Sequence, residues 1–65
     1  MKISRTKIKI ILADKGWQFK DVPLKAHISS ATFSKAINNK RSPSCRTIGK
    51  IAEALGVSAK EIIED

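Results

Sequence analysis

The stretch Phe19–Asn39, FKDVPLKAHISSATFSKAINN, decides the fold of this chain. Its pattern predicts two short helices joined by a tight turn at residues 27–29. The apolar positions expected to hold the two helices together are Val22, Leu24, Ala26, Ile28, Phe33, Ala36 and Ile37. The hydroxyl side chains with little reason to lie in a core are Ser29, Ser30, Thr32 and Ser34. The stretch therefore predicts a pair of packed helices with a polar, solvent-facing surface on the second.

Capping residues and apolar periodicity predict the rest of the chain. Five helices are expected. The first and third span residues 5–15 and 30–37; the second begins at 19 or 20 and ends at 26, and the fourth begins at 44 or 45 and ends at 55. The fifth is a short last segment that opens with a capping box at Ser58–Glu61. Gly16 and Gly56 are expected to supply the left-handed residues that end the first and fourth helices. Residues 1–3 are expected to fray. The predicted fold is all-α, a compact five-helix bundle in which residues 1–65 form a single domain.

Four residues in or near the predicted helices need separate interpretation. Pro23 is compatible with a helix only in its first turn, so the second helix is expected to begin late, near residues 20–21, or to be distorted. His27 stands where the turn requires a positive φ. Trp17 is expected in the core. The alternative is an exposed indole that stacks on a base of a nucleic acid. Ile10 falls off the buried stripe of the first helix, so it is either partly exposed or in contact with another subunit.

Charge is distributed unevenly along the chain, and the formal net charge is +7. Residues 1–50 carry twelve Lys or Arg against Asp14 and Asp21, a net of +10. Residues 51–65 carry one Lys against four acidic residues, a net of −3. A basic body with an acidic end indicates a polyanionic partner on one side, and nucleic acid is the first candidate. A surface that is basic only for solubility is the alternative.

The same composition disfavours several classes of protein. Cys45 is the only cysteine, so no disulfide can form within the chain, a Cys-based zinc site is excluded and a reducing compartment is indicated. His27 has no partner residues for a metal site. Without a triad or a glycine-rich phosphate loop, neither an enzyme nor a cofactor is expected. No apolar run approaches the roughly 20 residues that span a bilayer, so the chain is predicted to be cytoplasmic.

The segment KDVPLKAHISSATFSKAINN resembles the helix-turn-helix of lactose-repressor-like headpieces, whose pattern is roughly KDVAxxAGVSxATVSRVLNN. The preceding helix and the tail PSCRTIGKIAEALGVSAKEIIE are similar instead to the phage Cro and CI repressor-like domain, of the lambda-repressor-like type. This second resemblance covers nearly the whole chain. It implies five helices, of which the second and third form a helix-turn-helix that places the third in the major groove of DNA.

The resemblance also implies a role for each matched position. The residues that would read base edges are Ser30, Ala31, Thr32 and Lys35. The residues that would contact phosphates are Gln18, Ser29, Ser34, Asn38, Lys40 and Arg41. Three positions depart from the family: Pro23 replaces a small alanine, His27 replaces glycine, and Phe19 replaces a glutamine that holds a phosphate. The neighbouring Gln18 is the expected substitute for that contact.

Two functions remain open from the sequence. The first is a sequence-specific repressor from a phage, plasmid or similar mobile element, which blocks a promoter and binds a palindrome as a homodimer with half-sites about 34 Å apart. Its acidic end would supply the dimer contact through Val57, Ile62 and Ile63, and the chain leaves no room for a small-molecule pocket. The second is a protein-interaction module, such as an antitoxin or an assembly partner, that uses Ile62, Ile63 and Ile10.

Overall fold

The computed structural model describes residues 2–38 and 42–64. Its elements are a strand β1 (Lys2–Ile3), the helices α1 (Arg5–Lys15), α2 (Asp21–Ala26), α3 (Ser30–Ile37) and α4 (Cys45–Leu55), a 3-10 turn (Ala59–Glu61) and a strand β2 (Ile63–Glu64). The boundaries predicted for α1, α3 and α4 are confirmed, and α2 begins at the late end of its expected range. Two predicted phosphate contacts, Lys40 and Arg41, lie outside the described residues.

Serine caps and left-handed glycines set the helix boundaries. The hydroxyls of Ser4, Ser29 and Ser44 each accept the backbone N–H of the residue three positions later, in the first turns of α1, α3 and α4. Gly16 and Gly56 end α1 and α4 with φ of 72° and 73°. These bonds satisfy backbone groups that a helix leaves without an internal partner. Each boundary is therefore specified by residues close to it in the chain.

The two ends of the described chain meet in a small sheet. β2 pairs antiparallel with β1, and Ile3 lies opposite Ile63. The N–H of Ser4 continues this pairing by donating to the Ile62 carbonyl at 2.8 Å. The segment that is expected to fray is therefore ordered from residue 2. The domain is mostly helical, and the prediction of a wholly α-helical fold is wrong in this part.

The fifth predicted helix is shortened to a 3-10 turn. Ser58 makes no side-chain capping bond, so the capping box predicted there is wrong. The turn ends at Ile62, whose φ is −119° and whose side chain is 0% exposed. A short helix contributes little stability in water, whereas this backbone buries an isoleucine and leads directly into the pairing with β1. Burial and strand pairing therefore outweigh the local helix signal.

One hydrophobic core connects these elements. Its buried members are Ile3, Ile8, Leu12, Val22, Phe33, Ala36, Ile48, Ile51, Ala52, Leu55 and Ile62. α2 packs mainly against α4, and α3 also contacts β1. The buried face of α2 consists of Val22, Pro23 and Ala26. Leu24 therefore points to solvent and is 78% exposed, so its predicted place in the core is wrong.

Candidate nucleic-acid interface

The turn between α2 and α3 is built around His27. Its backbone is left-handed, with φ 57° and ψ 42°, which confirms the predicted positive φ. The N–H groups of His27 and of Ile28 both donate to the carbonyl oxygen of Pro23, the second at 3.1 Å. Pro23 itself is buried in the first turn of α2, where its missing N–H costs little. These contacts end α2 abruptly and turn the chain into α3.

Ser29 and Thr32 form a hydrogen-bonded pair at the start of α3. The Ser29 hydroxyl accepts the Thr32 backbone N–H at 3.0 Å and donates to the Thr32 hydroxyl at 2.8 Å. Both side chains are exposed. Because the Thr32 oxygen accepts this bond, the Thr32 hydroxyl hydrogen points away from Ser29 and is available for donation to another group. The cap thus also orients a group on the outer surface of α3.

α3 separates an apolar face from a polar one. Phe33 and Ala36 are 4% and 3% exposed and lie in the core, and Ile37 is half-buried. The exposed side chains are Ser30, Ala31, Thr32, Ser34, Lys35 and Asn38. The Asn38 amide donates to the Ser34 hydroxyl at 3.2 Å. The structure thus brings the α3 residues predicted to read bases to one exposed surface, and their contacts with DNA stay predictions.

A shallow cleft of about 230 Å³ lies between α3 and the start of α4. It is lined by Thr32, Lys35, Ala36, Ser42, Pro43 and Thr47. The start of α4 repeats that of α3, because the Ser44 hydroxyl accepts the Thr47 N–H at 3.2 Å and the two hydroxyl oxygens lie 3.1 Å apart. The last three lining residues are not among the predicted site residues. The Ser-x-x-Thr spacing shared by 29–32 and 44–47 is the sequence signal that identifies this second helix start.

The residues before α2 form a second polar and aromatic surface. Gln18 is exposed, and its backbone N–H donates to the Asp21 carboxylate at 2.9 Å. Trp17 is half-buried and packs against the core, so its predicted core position is only partly right. The ammonium groups of Lys15 and Lys25 lie 5.0 and 4.6 Å from the centre of its ring. Cation–π attraction therefore holds two positive charges against the indole.

The polar face of α3 belongs to the basic part of the chain. No acidic residue occurs between Asp21 and Glu53, the segment that contains α3 and the start of α4. Lys35 and Arg46 are exposed in this segment. This surface combines hydroxyl donors with positive charge, and no acidic residue is close to it in the sequence. Such a surface suits a partner that carries phosphate groups.

The residues predicted to form a dimer contact lie in different environments. Ile62 is 0% exposed and belongs to the core, so in this conformation its side chain does not contact a second subunit. Val57 and Ile63 are half-buried and pack against the core. Ile62 therefore packs in the core of the single chain, and the dimer contacts predicted for Val57 and Ile63 stay predictions. The strand pairing of the chain end turns the Ile62 side chain inward.

Two other kinds of site have no counterpart in residues 2–38 and 42–64. Within these ranges, no group of three His, Cys, Asp or Glu side chains could hold a metal ion. None of the helices there is long and apolar enough to cross a membrane. The candidate site is the exposed face of α3, on the grounds of its hydroxyl groups, its exposed lysine and its basic surroundings.

The chain matches a known family of protein domains. Residues 7–65 match a family model described as the Cro/C1-type helix-turn-helix DNA-binding domain. No curated protein and no solved structure matches the chain significantly. The family match begins within α1 and therefore includes both helices of the helix-turn-helix, the cleft between α3 and α4, and the 3-10 turn.

Proposed function

The chain belongs to the Cro/C1-type helix-turn-helix DNA-binding domains, and from this membership we propose that it is a sequence-specific transcriptional repressor. In this proposal α3 enters the major groove of double-stranded DNA. The observation that supports it most directly is the division of α3 into two faces. Phe33 and Ala36 are buried, whereas the opposite side carries hydroxyl groups and the ammonium group of Lys35.

The proposed base-reading residues are Ser30, Ala31, Thr32 and Lys35. Lys35 would donate to guanine O6 or N7, and the Ala31 methyl group suits the methyl group of thymine. Thr32 would act as a donor, because its oxygen already accepts a bond from Ser29. None of these side chains makes the bidentate base contacts typical of Arg or Asn. We therefore propose that the shape and deformability of the DNA contribute much of the specificity.

The proposed phosphate contacts complement the base-reading residues. They involve Gln18, Ser29, Ser34 and Asn38, together with Lys40 and Arg41, which lie outside the described residues. Such contacts fix the position of a protein on the duplex and carry no direct sequence information. Each cation that neutralises a phosphate also releases a counterion, so the proposed affinity falls steeply as salt is added.

Repression would follow from occupancy of a promoter. The eight residues of α3 cover only a few base pairs, so a specific site needs two copies. We propose a homodimer on an inverted repeat, with half-sites about 34 Å apart, one turn of the duplex. In this arrangement the symmetry of the DNA site reflects the symmetry of the protein.

Selection from a random double-stranded DNA library, followed by fluorescence anisotropy, tests the proposal. We expect the selected duplex to contain an inverted repeat and to bind at least about 10³-fold more tightly than a scrambled duplex of the same composition. Both duplexes should be titrated at several salt concentrations, because non-specific binding weakens with salt and specific binding retains a sequence-dependent part. Equal affinity for the two at every salt concentration would contradict the proposal.

A further inference from the structure

The short strand β1 packs against α3. Among the described elements, β1 makes the most extensive contact with α3, ahead of the neighbouring helix α2, and neither α1 nor α4 contacts α3 to this extent. Phe33 and Ala36, the buried side chains of α3, belong to the same core as Ile3 of β1, which is 0% exposed. The place of α3 in the domain therefore depends strongly on a strand of two residues.

β1 is held in turn by the opposite end of the described chain. It pairs antiparallel with β2. The N–H of Ser4, directly after β1, donates to the carbonyl oxygen of Ile62 at 2.8 Å. The ammonium group of Lys7 donates to the carbonyl oxygen of Ile63 at 2.8 Å. The sheet that supports α3 is thus assembled from segments at the two ends of the described chain.

We propose that the β1–β2 sheet sets the position of α3 on DNA and that Ile3 is the positioning residue in this sheet. The inference rests on the proposed function, in which α3 reads bases. Base contacts require a donor and an acceptor at hydrogen-bond distance, so a small displacement of α3 weakens several of them at once. Phosphate contacts depend mainly on charge and tolerate such a displacement better. The sheet therefore contributes to the discrimination between DNA sequences as well as to stability.

The small size of β1 is the reason for assigning this role to Ile3. Of the two residues of the strand, only Ile3 is buried. A pair of strands alone is marginally stable in water, so β1 keeps its place through its bonds to β2 and through this one side chain. A cavity at Ile3 lets the surrounding structure relax into the lost volume. α3 is the helix that β1 contacts most extensively, so α3 shifts first.

Ile3→Ala tests the inference by fluorescence anisotropy with the selected and the scrambled duplex. The ratio of the two affinities should fall at least about tenfold, while the affinity for the scrambled duplex changes less than about twofold. Ile8→Ala is the matched control, the same substitution at another isoleucine that is 0% exposed, on α1. It should change the ratio less than about twofold, since α1 does not contact α3 to the extent that β1 does.

Circular dichroism verifies that both alanine variants are folded at the temperature of the binding measurement. If either variant is unfolded, Ile3→Val and Ile8→Val replace the alanine pair, because loss of one methylene group disturbs a core less. In that case the ratio of the affinities should fall about threefold for Ile3→Val and stay unchanged for Ile8→Val.

A charge exchange on the solvent side of the sheet tests the strand pairing without altering the core. Lys2 and Glu64 are exposed and lie directly opposite each other. Lys2→Glu places like charges across the strands and should lower the ratio of the affinities about twofold to threefold. Glu64→Lys added to Lys2→Glu restores an attractive pair and the net charge of +7, and should restore the ratio. No recovery in the double variant would show that the pairing does not act on α3.

Amide hydrogen exchange measures the position of α3 without DNA. The N–H groups of Phe33 in α3 and Ile48 in α4 each donate to the carbonyl oxygen of the capping serine of their helix at 3.0 Å, which makes them a matched pair. Ile3→Ala should raise the exchange rate of Phe33 relative to that of Ile48 at least about tenfold, because α3 loses its support. Ile8→Ala should change this relative rate less than about twofold.

Two results would overturn the inference. One is a ratio of affinities that Ile3→Ala leaves unchanged, and the other is an equal loss of the ratio in Ile3→Ala and Ile8→Ala. Failure of the proposed function gives a different result, because the unmodified chain would then prefer no duplex. Hydrogen exchange would still decide, in that case, whether the β1–β2 sheet holds α3 in place.

Discussion

The N–H of Ile28 donates to the carbonyl oxygen of Pro23 at 3.1 Å and closes α2 across the left-handed residue His27. The end of α1 closes with the same hydrogen-bond pattern, and there Gly16 occupies the left-handed position. The turn that leads into α3 therefore combines a common helix termination with an uncommon residue. A side chain at positive φ costs energy that glycine avoids.

His27→Gly should stabilise the domain by about 0.5 kcal/mol. Relief of the left-handed strain contributes about 1 kcal/mol, and the larger backbone entropy of glycine in the unfolded chain removes part of it. The melting temperature should rise by about 2–4 °C, since about 1 kcal/mol shifts a domain of this size by about 4–8 °C. Thermal denaturation followed by circular dichroism measures this. His27→Ala keeps the strain and should give no such rise. A lower melting temperature for His27→Gly would show that the imidazole stabilises the turn.

Gly49→Ala should stabilise the domain by about 1 kcal/mol. Gly49 lies within α4, and a Cβ built there meets nothing within 4 Å. Alanine therefore gains helix propensity without a clash. Gly56→Ala is the matched control: its φ is 73°, so the same substitution there should destabilise by about 1 kcal/mol. Urea denaturation of both variants measures the difference, and equal effects of the two would contradict the role of φ.

Ser29→Ala and Ser44→Ala should lower stability to a similar extent, by about 1 kcal/mol each. Both hydroxyls accept the N–H of the third residue of a helix, at 3.0 and 3.2 Å. Only Ser29→Ala should also weaken DNA binding, because Ser29 orients the Thr32 hydroxyl on the proposed reading surface. Fluorescence anisotropy of DNA binding, measured well below the melting temperature, separates a loss of affinity for DNA from a loss of stability. An equal loss of affinity in both variants would place the start of α4 in the interface as well.

Lys35→Ala should relax the preference for one base pair of the selected site, by about 1–3 kcal/mol. The reason is that Lys35 is the one strong polar donor among the proposed base-reading residues. Lys9→Ala removes an exposed charge from α1 and should lower affinity by a similar amount for selected and scrambled duplexes. Titration against duplexes that differ at one base pair measures the discrimination. If Lys35→Ala weakens all of these duplexes equally, Lys35 contacts a phosphate and not a base.

Ile62→Ala should destabilise the domain by about 2–4 kcal/mol, because the side chain is 0% exposed and its loss leaves a cavity. Ile63→Ala, the adjacent and half-buried position, should cost clearly less. Urea denaturation compares the stability of the two variants. If Ile62→Ala fails to fold, Ile62→Val replaces it, with an expected loss of stability of about 1 kcal/mol. Equal costs at the two positions would mean that Ile62 is not a core residue.

The candidate site was predictable from sequence where it depends on one helix. The pattern of hydroxyls and apolar residues in SSATFSKAI identifies the exposed face of α3, and burial of Phe33 and Ala36 agrees with it. The opposite wall of the cleft, with Pro43 and Thr47, was not predicted, because it depends on how α4 packs beside α3. The DNA contacts of these residues stay predictions.

The amino-acid sequence by itself determined the left-handed ends at Gly16, His27 and Gly56, and the extents of α1, α3 and α4. These features depend on residues no more than a few positions apart, so each leaves a local pattern. Only the tertiary structure decided the burial of Ile62 and the exposure of Leu24. A six-residue helix is too short for its periodicity to define a face, and the pairing of β1 with β2 joins opposite ends of the chain. Such choices depend on the whole core, because a side chain is buried only where distant elements meet around it.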